Sequence, residues 1–270
     1  MSPSPPPPLT PPVYLAELPF PAVRDLVARD AVVLLPIGAT EAHGPHLPLG
    51  TDVYLSEELA RRTQRRLHAL GIPAVIAPSL AYAVTEYGAD FAGTVSLPPD
   101  VAAALYRSVL RGLVRTGLRH ICLLNSHLEP AHITALRQAV RDASQDSPIP
   151  VAFADQTERR FARTLTDEYK RGNCHAGRYE TSLLQAVRPD LIDESTRLAL
   201  PENEADLVAA MRSGIVGFAA AGGPQAYFGD PARATATEGD DIYGRLVSMA
   251  MTVMAEAWPP RFPATVPPPG

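Results

Sequence analysis

Residues 38–52 read GATEAHGPHLPLGTD, which places two carboxylates, Glu41 and Asp52, and two imidazoles, His43 and His46, on one loop stiffened by Pro45 and Pro48. A carboxylate and an imidazole two residues apart can reach one centre from the extended end of a strand, and a second carboxylate eleven residues on could bridge two ions. Nitrogen combined with carboxylate oxygen suits Zn²⁺, Mn²⁺ or Fe²⁺ and is too rich in nitrogen for a calcium site. The competing reading is a solvated polar loop in which Asp52 caps the following helix. Spacing alone leaves both open. A second cluster, NSHLE (125–129), repeats the two-residue spacing with His127 and Glu129. A third, NCHAGRYETS (173–182), carries His175 and Glu180 around a helix start, with Gly177 between them.

These side chains need a scaffold. Four apolar runs read as buried strands: AVVLLPIG (31–38), AVIAPSLAY (74–82), HICLLNSH (120–127) and IPVAFAD (149–155). None alternates strictly, as expected of parallel strands covered on both faces. Helical spacing fills 54–70, 98–117 and 130–143, with prolines or glycines at their ends. Strands alternating with helices predict an α/β layered fold with a mainly parallel central sheet flanked by helices. In such a fold the ligand site lies beyond the carboxyl ends of the strands. The first two polar clusters fall there.

The motifs GATEAHGPHLPLGTD (38–52), EYGADFAGTVSL (86–97), NSH (125–127), HAGRYETS (175–182) and GDPARATA (229–236) occur in the order in which they occur in the creatininase (creatinine amidohydrolase) family, which this sequence resembles. The resemblance implies a metal-dependent hydrolase of non-peptide or unusual amide C–N bonds, acting on a small cyclic amide, formamide or short peptide-like substrate. It implies two divalent ions per chain, Zn and/or Mn with Fe as a further option. Glu41, Asp52 and His127 would hold one ion. His43, Asp52 and Glu129 would hold the other, with Glu180 as an alternative ligand or ligand-orienting carboxylate. His175 and Glu129 are the expected catalytic residues, His175 through proton transfer, and His46 is expected to orient a ligand. The sequence departs from the family at Ser126 and Leu128, and it has a single tryptophan, Trp258. Leu128, Arg171 and Arg178 are therefore expected to line a substrate pocket unsuited to creatinine, with Arg171 favouring an anionic substrate. The alternatives are a metal hydrolase acting on a lactone or other carbonyl, or an inactive metal-binding assembly subunit.

Composition bounds the rest. The chain has 270 residues, a formal net charge of −5 and 46% hydrophobic residues, which suits a single globular domain over 13–258. Thirteen of its 29 prolines fall in residues 1–12 and 259–270, so both ends read as extended, mobile tails. The acidic balance argues against a nucleic-acid partner. No apolar run approaches the ~20 residues of a membrane span. Two cysteines, Cys122 and Cys174, and the lack of a signal-peptide pattern point to the cytoplasm. The resemblance further implies a homo-oligomer, a hexamer above all. The apolar, glycine-rich stretch 213–230 reads either as a core loop or as a subunit contact.

Overall fold

The computed structural model describes residues 12–145, 147 and 149–262. Four parallel strands, β1 (Val32–Ile37), β2 (Ala74–Ile76), β3 (His120–Asn125) and β4 (Ala152–Ala154), form a sheet in the order β2-β1-β3-β4. The register runs from Val32 opposite His120 to Ile37 opposite Asn125, so β1 and β3 end level with each other. The chain leaves β1 for β2 on one side and later returns to place β3 on the other. The crevice beyond β1 and β3 is thus the switch point at which open parallel sheets bind ligands.

The helices follow as α1 (Phe20–Ala28), α2 (Thr51–Ala69), α3 (Pro99–Arg115), α4 (Pro130–Gln145), α5 (Arg159–Ala162), α6 (Asp167–Arg171), α7 (Arg178–Gln185), α8 (Glu194–Ala199), α9 (Leu207–Arg212) and α10 (Ala236–Ala257). Alternate strand residues face opposite layers. Val32, Leu34, Cys122 and Leu124 pack with α2, α7 and α10, whereas Val33, Leu35, Ile121 and Leu123 pack with α1, α3 and α4. Because both faces are covered, every residue of β1 and β3 is buried, which explains the absence of alternation in their sequences. Leu34 is fully buried at the centre of this packing. Leu34→Ala is expected to cost about 2–5 kcal/mol, read as a lower denaturant midpoint.

The expected elements shift in detail. The helix read from 54 begins at Thr51, which puts Asp52 inside its first turn rather than before it. The strand over 74–82 shortens to three residues and continues only as a bridge at Leu80. Helices α1 and α10 go beyond the expected set. α10 starts where the Thr235 side chain accepts the Glu238 N–H, an N-cap satisfying one of the free donors.

Residues 213–230 fold largely as loop. Phe218, Ala221, Ala226 and Phe228 are buried in a third apolar cluster with Ala42 and Leu207, while Ile215 and Val216 stay exposed. At the C-terminal end the expected tail begins later than Trp258: Pro259–Arg261 form a 3₁₀ turn and Phe262 is buried. Residues 1–11 and 263–270, most of the two proline-rich segments, lie outside the described residues. No described helix is long and apolar enough to cross a membrane.

Candidate metal centre

Glu41 and His43 leave the end of β1, His127 and Glu129 leave the end of β3, and Asp52 enters from the first turn of α2. Gly38 makes this convergence possible. A Cβ there would sit 2.8 Å from Asp52 Cβ and against the Asp52–Val53 backbone, so only glycine lets α2 start so close to β1. The Asp52 carboxylate then faces an imidazole with each oxygen: Oδ1 lies 3.3 Å from His43 Nε2 and Oδ2 lies 3.1 Å from His127 Nδ1. Glu41 Oε2 lies 3.1 Å from the same His127 nitrogen, and Glu180 Oε2 lies 3.5 Å from His43 Nε2.

Backbone carbonyls orient both imidazoles. His43 Nδ1 donates to the Glu41 carbonyl at 3.0 Å, and His127 Nε2 donates to the Val84 carbonyl at 2.7 Å. The other ring nitrogen of each is therefore aimed at the carboxylates, the arrangement typical of metal-ligating histidines. Asn125 grips the His127 backbone from both sides: its Nδ2 donates to the His127 carbonyl, and its Oδ1 accepts from the His127 N–H and from His132. Ser126, at the position where the family has glycine, places its hydroxyl against Ser56 of α2 at 2.9 Å. The EYG and FAGT segments surround Glu41. Thr85 donates to Glu41 Oε1 at 2.6 Å, Thr94 accepts the Ala42 N–H, and Tyr87 donates its backbone N–H to Glu129 Oε2.

The residues fit a pair of cations. Glu41 Oε2, His43 Nε2 and both Asp52 oxygens are buried without a hydrogen-bond partner, an arrangement costly for polar groups unless something charged engages them. Three donor sets lie within 4.8 Å: Glu41–His127–Glu129, His43–Asp52–Glu180 and Glu41–His43–His175. Glu129 lies with Glu41 and His127, and Glu180, the alternative ligand, lies with His43 and Asp52, because the loop before α7 folds back over the end of β1.

Charge makes the same point. Burial pushes the Glu41 carboxyl up, but His127, His175 and His43 more than offset it and hold it at about 2. Burial also raises Asp52, yet His43 and His127 hold it well below the usual carboxylate range. Burial pulls His43 down, while Asp52, Glu180 and Glu41 drive it up to about 10. For Glu180, burial outweighs His43 and gives about 8. Without metal, the carboxylates draw protons onto the imidazoles; these are the positions that cations would take.

His175 is half-buried, stacks on Phe218 with ring centroids 4.0 Å apart, and donates from Nε2 to the Ala42 carbonyl. Burial, with help from His43, holds it down at about 4, so it is neutral near pH 7. His46 is outside all three donor sets. It is buried, and its Nε2 hydrogen-bonds Thr181 of α7 at 3.0 Å, bracing the turn that carries Glu180.

The cluster floors a cavity of about 230 Å³. Its walls are largely apolar: Leu128, Ala162 and Phe218, with Leu207, Val208 and Met211 of α9. Leu128 lies where the sequence places it. Arg171 and Arg178 do not: they line a separate polar cavity, and Arg178 pairs with Glu238. Among the described residues lining the metal-centre cavity none is Lys or Arg. The α9 wall, Tyr87 and Phe218 went unread as site residues. Tyr87 lies within the EYG motif, whereas α9 bears no motif at all.

A buried cluster of carboxylates and imidazoles that could hold metal ions, at the switch point of a parallel sheet, defines the class as a parallel α/β protein with a candidate metal site. Residues 16–254 match the profile of the creatininase family, described as creatinine amidohydrolase. The chain is 31% identical over 252 residues to the mycofactocin precursor peptide peptidase of Mycobacterium ulcerans, covering 91% of this chain and 93% of that protein. It is 30% identical over 194 residues to the creatinine amidohydrolase of Pseudomonas putida, covering 67% and 74%. A manganese creatininase structure superposes with a TM-score of 0.72 at 23% identity, covering 92% of this chain and 99% of that one. The chain belongs to the creatininase family of amidohydrolases and has the creatininase fold.

Proposed function

We propose that this protein is a divalent-metal-dependent amidohydrolase whose substrate is an uncharged, peptide-like amide bearing apolar groups beside the scissile C–N bond. The observation that carries the reading is a buried carboxylate and imidazole cluster, with Glu41 Oε2, His43 Nε2 and both Asp52 oxygens lacking hydrogen-bond partners, at the base of an apolar-walled cavity that no described Lys or Arg lines. Arg171, the residue behind the expectation of an anionic substrate, lines the other cavity. The resemblance to a precursor-peptide peptidase over nine-tenths of the chain supports the peptide-like character.

Glu41, His127 and Glu129 would hold one ion and His43, Asp52 and Glu180 the other, with Asp52 reaching both. Mixed N/O donors suit Zn²⁺ or Mn²⁺, with Fe²⁺ a further option. When bound, such ions supply carbonyl polarisation and a water ionised near neutral pH. The protein's own groups handle the protons. Burial raises the Glu129 carboxyl, and the Tyr87 N–H holds one of its oxygens. Neutral His175 can accept a proton and return it to the departing nitrogen. The walls of α9 and Phe218 exclude water from the scissile bond.

Elemental analysis of protein purified without chelator, combined with a panel of neutral peptides and creatinine, tests the proposal. The expected result is more than one equivalent of metal, hydrolysis of apolar peptide amides and little turnover of creatinine. Trp258 cannot stack on a ring in this cavity, because it is buried against His120 at the opposite end of β3. Metal-free protein with full activity would overturn the reading. Glu129→Gln is expected to lower turnover by about 10²–10⁴-fold and to weaken binding of the ion held by Glu41 and His127, since the amide removes a carboxylate from that set. The same proposal includes a homo-oligomer, hexameric in light scattering, in the reducing cytoplasm that suits two buried, unpaired cysteines.

A further inference from the structure

Outside the metal centre, α6 carries Glu168. Helix α7, which carries Glu180 into the cluster, has no cap of its own, since its N-cap residue is Gly177. Its first free donors go instead to Glu168. Oε1 accepts the Arg178 N–H at 3.0 Å and Oε2 accepts the Tyr179 N–H at 2.7 Å. The same Oε1 also accepts the Asp230 N–H at 2.9 Å, from the GDP turn. One carboxylate thus joins two segments about fifty residues apart in sequence. The surroundings are shaped for it: a Cβ on either Gly177 or Gly229 would run into Glu168 Oε1.

What these segments carry gives the carboxylate its role. The Phe228 N–H donates to the His175 carbonyl at 2.8 Å, so the GDP turn holds the His175 backbone. The Ala176 N–H donates to Glu180 Oε2 at 2.7 Å, so the turn before α7 aims the Glu180 carboxylate at His43. Ala176 achieves this with a left-handed φ of 49°, a conformation an alanine keeps only when its surroundings enforce it. Glu168 lines the separate polar cavity and not the one above the cluster.

We propose that Glu168 is a positioning residue for one half of the centre: by latching the N-terminus of α7 to the GDP turn, it sets Glu180 and His175 against His43 and Asp52. The proposal rests on the metal-centre reading above. It requires the other half, Glu41–His127–Glu129, to be indifferent to Glu168, since those ligands hang from β1 and β3.

Calorimetric titration of Mn²⁺ into chelator-stripped wild type, Glu168→Ala, Glu168→Gln and Glu180→Gln tests it. In Glu168→Ala one class of site is expected to weaken by about 10–100-fold. It should be the class that Glu180→Gln abolishes, with the other class unchanged. Glu168→Gln should fall between, since one amide oxygen still accepts from Arg178 and Asp230 while its NH₂ opposes the Tyr179 N–H. Equal weakening of both classes, or of neither, overturns the proposal, and the glutamine variant decides the question if the alanine variant does not fold. Amide exchange in the stripped proteins gives a second readout: it should rise at 175–180 and 228–230 and stay as in wild type at 41–52 and 125–129. If the wild type binds no Mn²⁺, the metal reading fails, and the exchange pattern alone judges the latch. A rise spread across the molecule, or none, sinks it.

Discussion

Asp52→Asn should strip the protein of most of its bound metal and of nearly all its activity while leaving the sheet and helices intact. Among the described residues, Asp52 is the carboxylate whose two oxygens face different imidazoles, His43 and His127, at 3.3 and 3.1 Å. Both oxygens are buried with no hydrogen-bond partner. The substitution keeps the shape of the side chain, so the packing of α2 on β1 is preserved. It removes a negative charge from both donor sets at once and turns one of the two oxygens into an NH₂ group that cannot ligate. Loss of the ions would forfeit the carbonyl polarisation and the ionised water they supply near neutral pH, so a fall of at least ~10³-fold in turnover is expected. Inductively coupled plasma analysis alongside circular dichroism checks it. Unchanged metal content in the folded variant would show that Asp52 is no ligand.

The parts of this site legible in the sequence are those attached to regular elements. Glu41, His43, His127 and Glu129 follow two apolar runs whose ends must lie together in a parallel sheet, and the structure sets Ile37 opposite Asn125. Asp52 is legible because a helix follows it. Which glutamate joins which histidine is not legible, because that depends on how the turn at 175–177 folds back over β1. The turn is set by contacts from Glu168, Phe228 and Ala42, all distant in sequence or unmarked by any motif. Arg171 and Arg178 mislead for a related reason. In an irregular segment proximity in sequence does not fix direction: Gly172 and Cys174 face the metal-centre cavity, whereas Arg171 and Asn173 face the other one.

The apolar wall of α9 shows the limit of motif reading from the other side. Leu207, Val208 and Met211 have no chemistry that a motif could mark, and their role comes from packing over Gly172 and Phe218 above the cluster. Glu180 and His46 are expected from the motifs as alternative or orienting groups, but their places, beside His43 and Asp52 and against Thr181, emerge once α7 is seen to pack beside α2.

His175→Ala should separate proton transfer from coordination. A ring nitrogen of His175 comes within 4.8 Å of ligand atoms of Glu41 and His43, so distance alone would admit it as a ligand. Its other contacts favour a different role. Nε2 donates to the Ala42 carbonyl, one face is covered by Phe218, and burial holds the ring neutral, with a pKa near 4. The donor sets Glu41–His127–Glu129 and His43–Asp52–Glu180 form without it. Turnover is therefore expected to fall by about 10²–10⁴-fold, the range for loss of a positioned acid or base, with metal content close to wild type. The sign of the pH dependence follows from the lowered pKa. A neutral imidazole is the working form, so the His175 contribution should be present at neutral pH and fade only as pH falls towards 4. The variant's rate, lacking that contribution, should depend less on pH over the acid limb. A variant that loses one equivalent of metal together with its activity would make His175 a ligand and overturn its proton-transfer role.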